Sequence, residues 1–230
     1  MTLAPALAPA PSPAPGSVAG DMVGPGVLDA PGENLEWRIG AATLAGIARV
    51  GLTKLTVDDV ARAAGTSRAT VYRLYPSKRA VVAAAVTAEA DRITGVIVRA
   101  ATSAADLDDA VARIVLTAGR EARACAALRF VVTHEPDLVF PHLAFAGGDR
   151  LLQELGRRCA PALAPWCTDP ARAAEWVARC VLTLLWSTEP LVDLADEAAV
   201  RRFVTSFVTP GIPKPGIPRT EPAFFDPEEG

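Results

Sequence analysis

An all-α protein is predicted by three features of the sequence. Residues at three- and four-residue spacing line single stripes through the middle of the chain, as Ile39, Thr43, Ile47 and Val50 do, which is the period of a helix face. The β-branched, aromatic-rich runs of strands and the Asn-Gly or Asp-Gly turns of hairpins are missing. Helix start and stop residues punctuate the periodic stretches where they are needed.

Taken in order, the first helix spans about Leu35 to Val50, with Gly51 placed to end it. Thr56, followed by Asp59 three residues later, makes a capping-box start for a short second helix that ends near Ala64 at Gly65. Ser67 caps a third helix from Arg68 to about Tyr75, which Pro76 stops. Ser77 caps a fourth, long and amphipathic through Val82, Val86, Ile93 and Ile97 to about Ala100. Further helices are expected at about 105–119, 120–133, 138–160, 171–188 and 197–208, with Gly147-Gly148 a place for a kink. The start of the 105–119 helix is assigned to a Ser103 cap, with Asp106, Asp108 and Asp109 in its first turn, where negative charge is stabilising; a cation site is the other reading of these acids.

This division gives an Ala/Pro-rich tail (1–34) with too few large apolar groups to order itself, a compact helical head (35–80), a helical body (81–209) and a Pro-rich tail (210–230) in which only Phe224 and Phe225 could dock. Half the residues are hydrophobic, enough for a sizeable core. No window of about 18 uncharged apolar residues exists to span a bilayer, and no signal peptide is expected, so a cytoplasmic protein is the default. The four cysteines, Cys125, Cys159, Cys167 and Cys180, lack Cys-x-x-Cys spacing and read as reduced, mostly buried apolar groups. A metal site built from them with His134 and His142 has no recognised spacing behind it, and no cofactor is implied.

The net charge of −3 hides an asymmetry. Residues 35–80 carry eight basic and three acidic side chains, whereas residues 81–230 carry 15 basic and 20 acidic. A basic head on an acidic body suits a polyanionic partner for the head alone. Enzyme motifs such as Gly-x-Ser-x-Gly, His-Glu-x-x-His or a phosphate-binding glycine loop are absent from the sequence. His134-Glu135 offers an acid/base pair, but a packing or capping role at a helix end suits it better.

The stretch Ala64 to Val81, AGTSRATVYRLYPSKRAV, carries the chemistry. Two short helices joined by a glycine turn, the second opened by a hydroxyl cap, form a helix-turn-helix. In that motif the second helix enters the major groove by its N-terminal end. Arg68 has the fork to read a guanine, and Ala69 or the Thr70 methyl can rest on a thymine methyl. Tyr72 can reach a phosphate or base, Val71 and Leu74 are expected to face the core, and Tyr75 is open to either role. Ser67 sits at the exposed start of the third helix, and Ser77 with Lys78 opens the fourth and Thr56 the second, where amides and a positive dipole favour phosphate.

The segment TVDDVARAAGTSRATVYRLYPSKRAVVAAAV, Thr56 to Val86, resembles the DNA-binding head of the tetracycline-repressor (TetR) family of transcription regulators. The matching pattern is a Thr-led second helix, Ala-Gly-x-Ser, Thr-x-Tyr, an aromatic and Ser-Lys. Ala69 stands where the family usually has glycine, and Leu74-Tyr75 replaces a common His-Phe pair. The resemblance implies a homodimer on double-stranded DNA, a small-molecule effector bound among helices of about residues 85–165, and dimerisation through the last two helices. It gives Thr56, Ser67, Arg68, Ala69, Thr70, Tyr72, Tyr75 and Lys78 as DNA-facing residues. Independently, the helix of Trp176 to Ser187 is apolar almost all round. Trp176, Val177, Cys180, Val181 and Leu184 are therefore candidates for the dimer interface, unless the helix is simply central to its own domain. Two other classes stay open: a helical protein-interaction module, and a small-molecule-binding protein that does not touch DNA. Arg99, Arg113, Arg123 and Arg129 could each pair an acidic ligand group in the body or sit in ion pairs on its surface.

Overall fold

The computed structural model of the chain describes residues 34–138, 145–187 and 191–215. The expected disordered tail before Asn34, His142, the Glu189-Pro190 break, and Phe224 and Phe225 lie outside the described residues. The fold is all-α. Its helices are α1 (Leu35–Lys54), α2 (Val57–Ala63), α3 (Arg68–Leu74), α4 (Lys78–Thr102), α5 (Leu107–Ala124), α6 (Ala126–His134), α7 (Phe145–Leu163), α8 (Pro170–Trp186) and α9 (Glu197–Phe203).

Local signals set the head. Asn34 Oδ1 accepts from the Glu36 amide at 2.8 Å and starts α1. Ile39, Ile47 and their neighbours bury one face, and Thr43 satisfies its buried hydroxyl by donating to the Ile39 carbonyl at 2.7 Å. At Gly51 the backbone flips to φ 82°, a region side chains avoid, so the helix breaks there and closes in one further turn. Ile39, Ile47, Leu55, Val60, Val71 and Val81 form the head's core. Ala127 and Val131 of α6 complete that core, so α1 is seated on α6 as well as on the head's own helices.

A second core fills the body. Val111, Val115, Leu163, Val177, Val200, Val204 and Val208 are all nearly or fully inaccessible and belong to α5, α7, α8, α9 and the chain following it. At its centre is α5, buried on most of its circumference. It runs past Gly119, where the sequence suggested a stop, because that glycine is an approach site: a Cβ there would lie 3.0 Å from the Leu194 Cβ. Its cap is also not the expected one. Asp106 Oδ1 accepts from the Asp109 amide at 2.8 Å and opens the helix, whereas Ser103 terminates α4. No kink follows from Gly147-Gly148: α7 is continuous from Phe145, and Pro161 lies within its last turn. Regular helix ends at Phe203, and Val204–Val208 widens into a π turn closed by the Thr209 amide donating to the Val204 carbonyl.

On α8, Val177, Val181 and Leu184 pack into the body core against α5 and α7, so that face of the helix is buried within its own chain. Trp176 is 41% exposed and donates Nε1–H to the Val208 carbonyl at 3.0 Å, while Cys180 is half-buried. All four cysteines are free thiols, and burial pushes Cys159 up to about 11, so it stays protonated at neutral pH.

Asp109 ties α5 to α9: Arg201 donates to its Oδ1 at 2.9 Å and Arg113 to its Oδ2 at 2.8 Å. The Arg201 hydrogen bond, with that of Arg113, outweighs burial and holds the carboxyl below its usual 3.8. A depressed carboxylate contributes stability that is complete above its unfolded value and is lost as the pH falls through the lower folded one. The thermal midpoint is therefore expected to fall on acidification below about pH 4, and Asp109→Asn to flatten that dependence; melts across pH 2–6 check this.

Candidate nucleic-acid interface

Helices α2 and α3 form a tight pair whose geometry follows from their caps. Thr56 Oγ1 accepts from the Asp59 amide at 3.2 Å, and Asp59 Oδ2 accepts in return from the Thr56 amide at 3.3 Å. The Thr56 side chain also hydrogen-bonds this carboxylate, the largest of the effects that hold Asp59 below its usual value. The reciprocal box satisfies amides that would otherwise be orphaned at the start of α2. At the other end Gly65, with φ 65°, turns the chain while the Thr66 amide donates to the Ala61 carbonyl at 2.9 Å. Ser67 Oγ then accepts from the Thr70 amide at 3.0 Å and starts α3.

One side chain fixes how α3 sits. Val71 is 0% exposed within the head core, and its burial turns the opposite face outward. Ser67, Arg68, Ala69 and Tyr72 are exposed on that face, Thr70 is half-buried beside Ser67, and Arg73 continues the exposed surface. Leu74, expected in the core, is instead 37% exposed, because the last residue of a two-turn helix anchored at Val71 points past the core. Tyr75 takes the packing role: it lies half-buried against the head core, and burial raises its hydroxyl above the usual 10.

Arg68 is held ready at the tip. Its Nη1 donates to Asp58 Oδ2 of α2 at 3.0 Å, and its guanidinium lies 5.3 Å from the Tyr72 ring centre. Asp58 was not singled out from the sequence, since a partner ten residues away across a turn leaves no periodic signal. The pair is exposed and contributes little stability, so its consequence is orientation.

Ser77 caps α4 as expected, accepting from the Ala80 amide at 3.2 Å. The Lys78 ammonium is turned toward α1 and donates to the carbonyls of Leu52 at 2.7 Å and Thr53 at 3.2 Å. Arg79, the next residue, is exposed at this helix start. Nor do the candidate arginines of the body converge on an interior: Arg113 pairs with Asp109, Arg123 donates to the Leu194 carbonyl, and Arg99 and Arg129 are exposed. No cluster of three or more potential metal ligands occurs among the described residues.

A capped two-helix pair on a three-helix head, presenting arginine, hydroxyl and tyrosine side chains from the leading end of its second helix, defines a helix-turn-helix protein. Residues 39–85 match the family model of bacterial regulatory proteins of the tetR family. Solved structures share the whole fold. The TetR family repressor AlkX of Dietzia sp. strain DQ12-45-1b is 18% identical, with a TM-score of 0.57 over 75% of this chain and 95% of that one. The fatty acid degradation regulator FadR of Bacillus halodurans is 17% identical, with a TM-score of 0.54 over 82% and 98%. The transcriptional regulator FadR of Bacillus subtilis, solved with stearoyl-CoA, is 14% identical, with a TM-score of 0.53 over 74% and 97%. Among curated proteins no sequence matches. Residues 39–85 thus match the tetR-family head, and the described chain shares the all-α fold of these solved regulators.

Proposed function

We propose that the protein is a ligand-responsive repressor that binds a palindromic operator as a homodimer and is released by a small, largely apolar effector. The observation that carries this is the outward face of α3, where Ser67, Arg68, Ala69 and Tyr72 are exposed and Arg68 is braced by Asp58. Arg68 reads a base edge, Ala69 and Thr70 contribute apolar contact, and Tyr72 reaches the backbone or a base. Thr56 and Ser67 place helix N-termini near phosphates. Lys78 acts differently from a free phosphate ligand: it secures the end of α1.

Dimerisation is supported by the outer side of α8 and of the segment after α9. Trp176 is exposed there, and Phe207, 69% exposed, has its ring 5.5 Å from that of Phe203. Large aromatic groups left open on adjacent segments favour burial against a second copy. The effector class is supported by the body's valine- and alanine-rich core and by its arginines, which are engaged with their own chain or face solvent. That AlkX is implicated in n-alkane biodegradation, and that a FadR was solved with stearoyl-CoA, points the same way, toward long alkyl or acyl chains.

Two ion pairs join α4 to the body: Arg92 bridges Glu89 and Glu121 of α5, and Asp91 meets Arg158 of α7. An effector that favours a body arrangement in which α4 is displaced changes the separation of the two heads, and DNA weakens effector binding by the same factor. Selection of duplexes from a random DNA pool tests this reading. The wild type is expected to enrich an inverted repeat with half-sites about one helical turn apart, and Arg68→Ala to relax preference at one position of each half-site.

A further inference from the structure

The break at Gly51 leaves the amides of Leu52 and Thr53 without helical partners, and a residue more than eighty positions away supplies them. Glu135, the first residue after α6, accepts from the Leu52 amide on Oε2 at 2.6 Å and from the Thr53 amide on Oε1 at 3.0 Å. Lys78 grips the same two residues from their other side through the carbonyls of Leu52 and Thr53. The backbone amides and carbonyls of Leu52 and Thr53, in the last turn of α1, are thus bound by Glu135 just after α6 and by Lys78, the first residue of α4. Gly51 is required by the same arrangement, because a Cβ would lie 2.8 Å from Glu135 Oε1 and 2.8 Å from the Phe130 ring.

Helix α6 is built to be a separate arm. It has only nine residues, lacks a side-chain hydrogen bond at its N-cap, and packs more on α1 than on α5. Ala127 and Val131 sit in the head core, while Phe130 lies tilted against His134 with ring centres 4.6 Å apart. We propose that Glu135 is a positioning residue for DNA binding: it latches α6 to the Leu52–Thr53 turn, so that α6 and α1 form a second mechanical link between body and recognition helix, parallel to α4. Movement of α6 in the body is then delivered to the head as a rigid displacement of α1, and through Lys78 to the start of α4. Burial raises the Glu135 carboxyl, but the Thr53 and Leu52 hydrogen bonds and the Lys78 charge outweigh it and hold the group below its usual 4.5, so the latch is charged at neutral pH.

For its effect on DNA this inference rests on the repressor reading, and the test separates the two. Distance distributions are measured between spin labels on genetically encoded ketone residues at the exposed positions Arg62 and Arg172, which leaves the native thiols unlabelled. The variants are Glu135→Ala, Gly51→Ala and the conservative Glu135→Gln, which keeps one acceptor oxygen. The first two are expected to broaden the head-to-body distribution, and Glu135→Gln to give an intermediate width. Affinity for the duplex selected by wild type is expected to fall about tenfold in Glu135→Ala, a typical coupling between sites, with binding to a scrambled duplex unchanged. A distribution that stays narrow in both Glu135→Ala and Gly51→Ala overturns the latch, including the case where the thermal midpoint drops. Failure of wild type to bind any duplex overturns the repressor reading instead, while the distances still decide the latch.

Discussion

Val71→Asp is expected to unfold the DNA-binding head and abolish DNA binding while the body stays folded. Val71 is 0% exposed and is surrounded by the apolar side chains of α1, α2 and the start of α4. No cation belongs to that cluster, so a carboxylate placed there is desolvated without compensation, at a cost of several kcal/mol. Whole domains are stable by only about 5–15 kcal/mol, and a head this small sits at the low end of that range. Val71 belongs to the head core and is absent from the body core. Circular dichroism should therefore show a partial loss of helix with a cooperative transition retained, whereas Val71→Ala should shift the melt without removing a phase.

The second large effect is on salt dependence. The protein's formal charge is −3, so attraction to DNA must come from the local excess of eight basic over three acidic residues in 35–80. Each phosphate neutralised by a cation releases counterions, and about six to ten such contacts across a dimer lower affinity by roughly 10³–10⁵ between about 50 and 200 mM salt. Fluorescence anisotropy titrations at several salt concentrations give the slope directly. Arg73→Ala and Arg79→Ala, both exposed beside the recognition surface, are expected to reduce that slope by about one each per head engaged. Lys78→Ala is expected to act on head geometry, because its ammonium is already committed to α1.

What could be read from the sequence here was local. The Gly51 break, the capping box at Thr56, the Gly65 turn and the Ser67 and Ser77 caps all rest on residues within four positions of one another, and each occurs where its signal stands. Some differences come from a partner distant in the chain: Gly119 resembles a helix stop until Leu194 is placed over it. Ser103 is a local case, since Asp106, three residues on, caps α5 while Ser103 ends α4. The contacts of Lys78 with the Leu52 and Thr53 carbonyls likewise reach back 26 and 25 residues, beyond any local signal. The apolar circumference of α8 signalled burial on several sides; which surfaces cover it depended on α5 and α7, whose packing no periodicity encodes. Asp58 is invisible as a site residue for the same reason, and Glu135 stands out only together with His134, because its partners Leu52 and Thr53 lie 83 and 82 residues away.

The central claim is that the exposed leading end of α3 reads DNA sequence. Sequencing the duplexes retained from a random pool at low salt by wild type and by Arg68→Ala tests it most directly. The account predicts an enriched inverted repeat for wild type and a motif degenerate at one position per half-site for the variant. No enrichment by wild type, or an identical motif from both proteins, would contradict it.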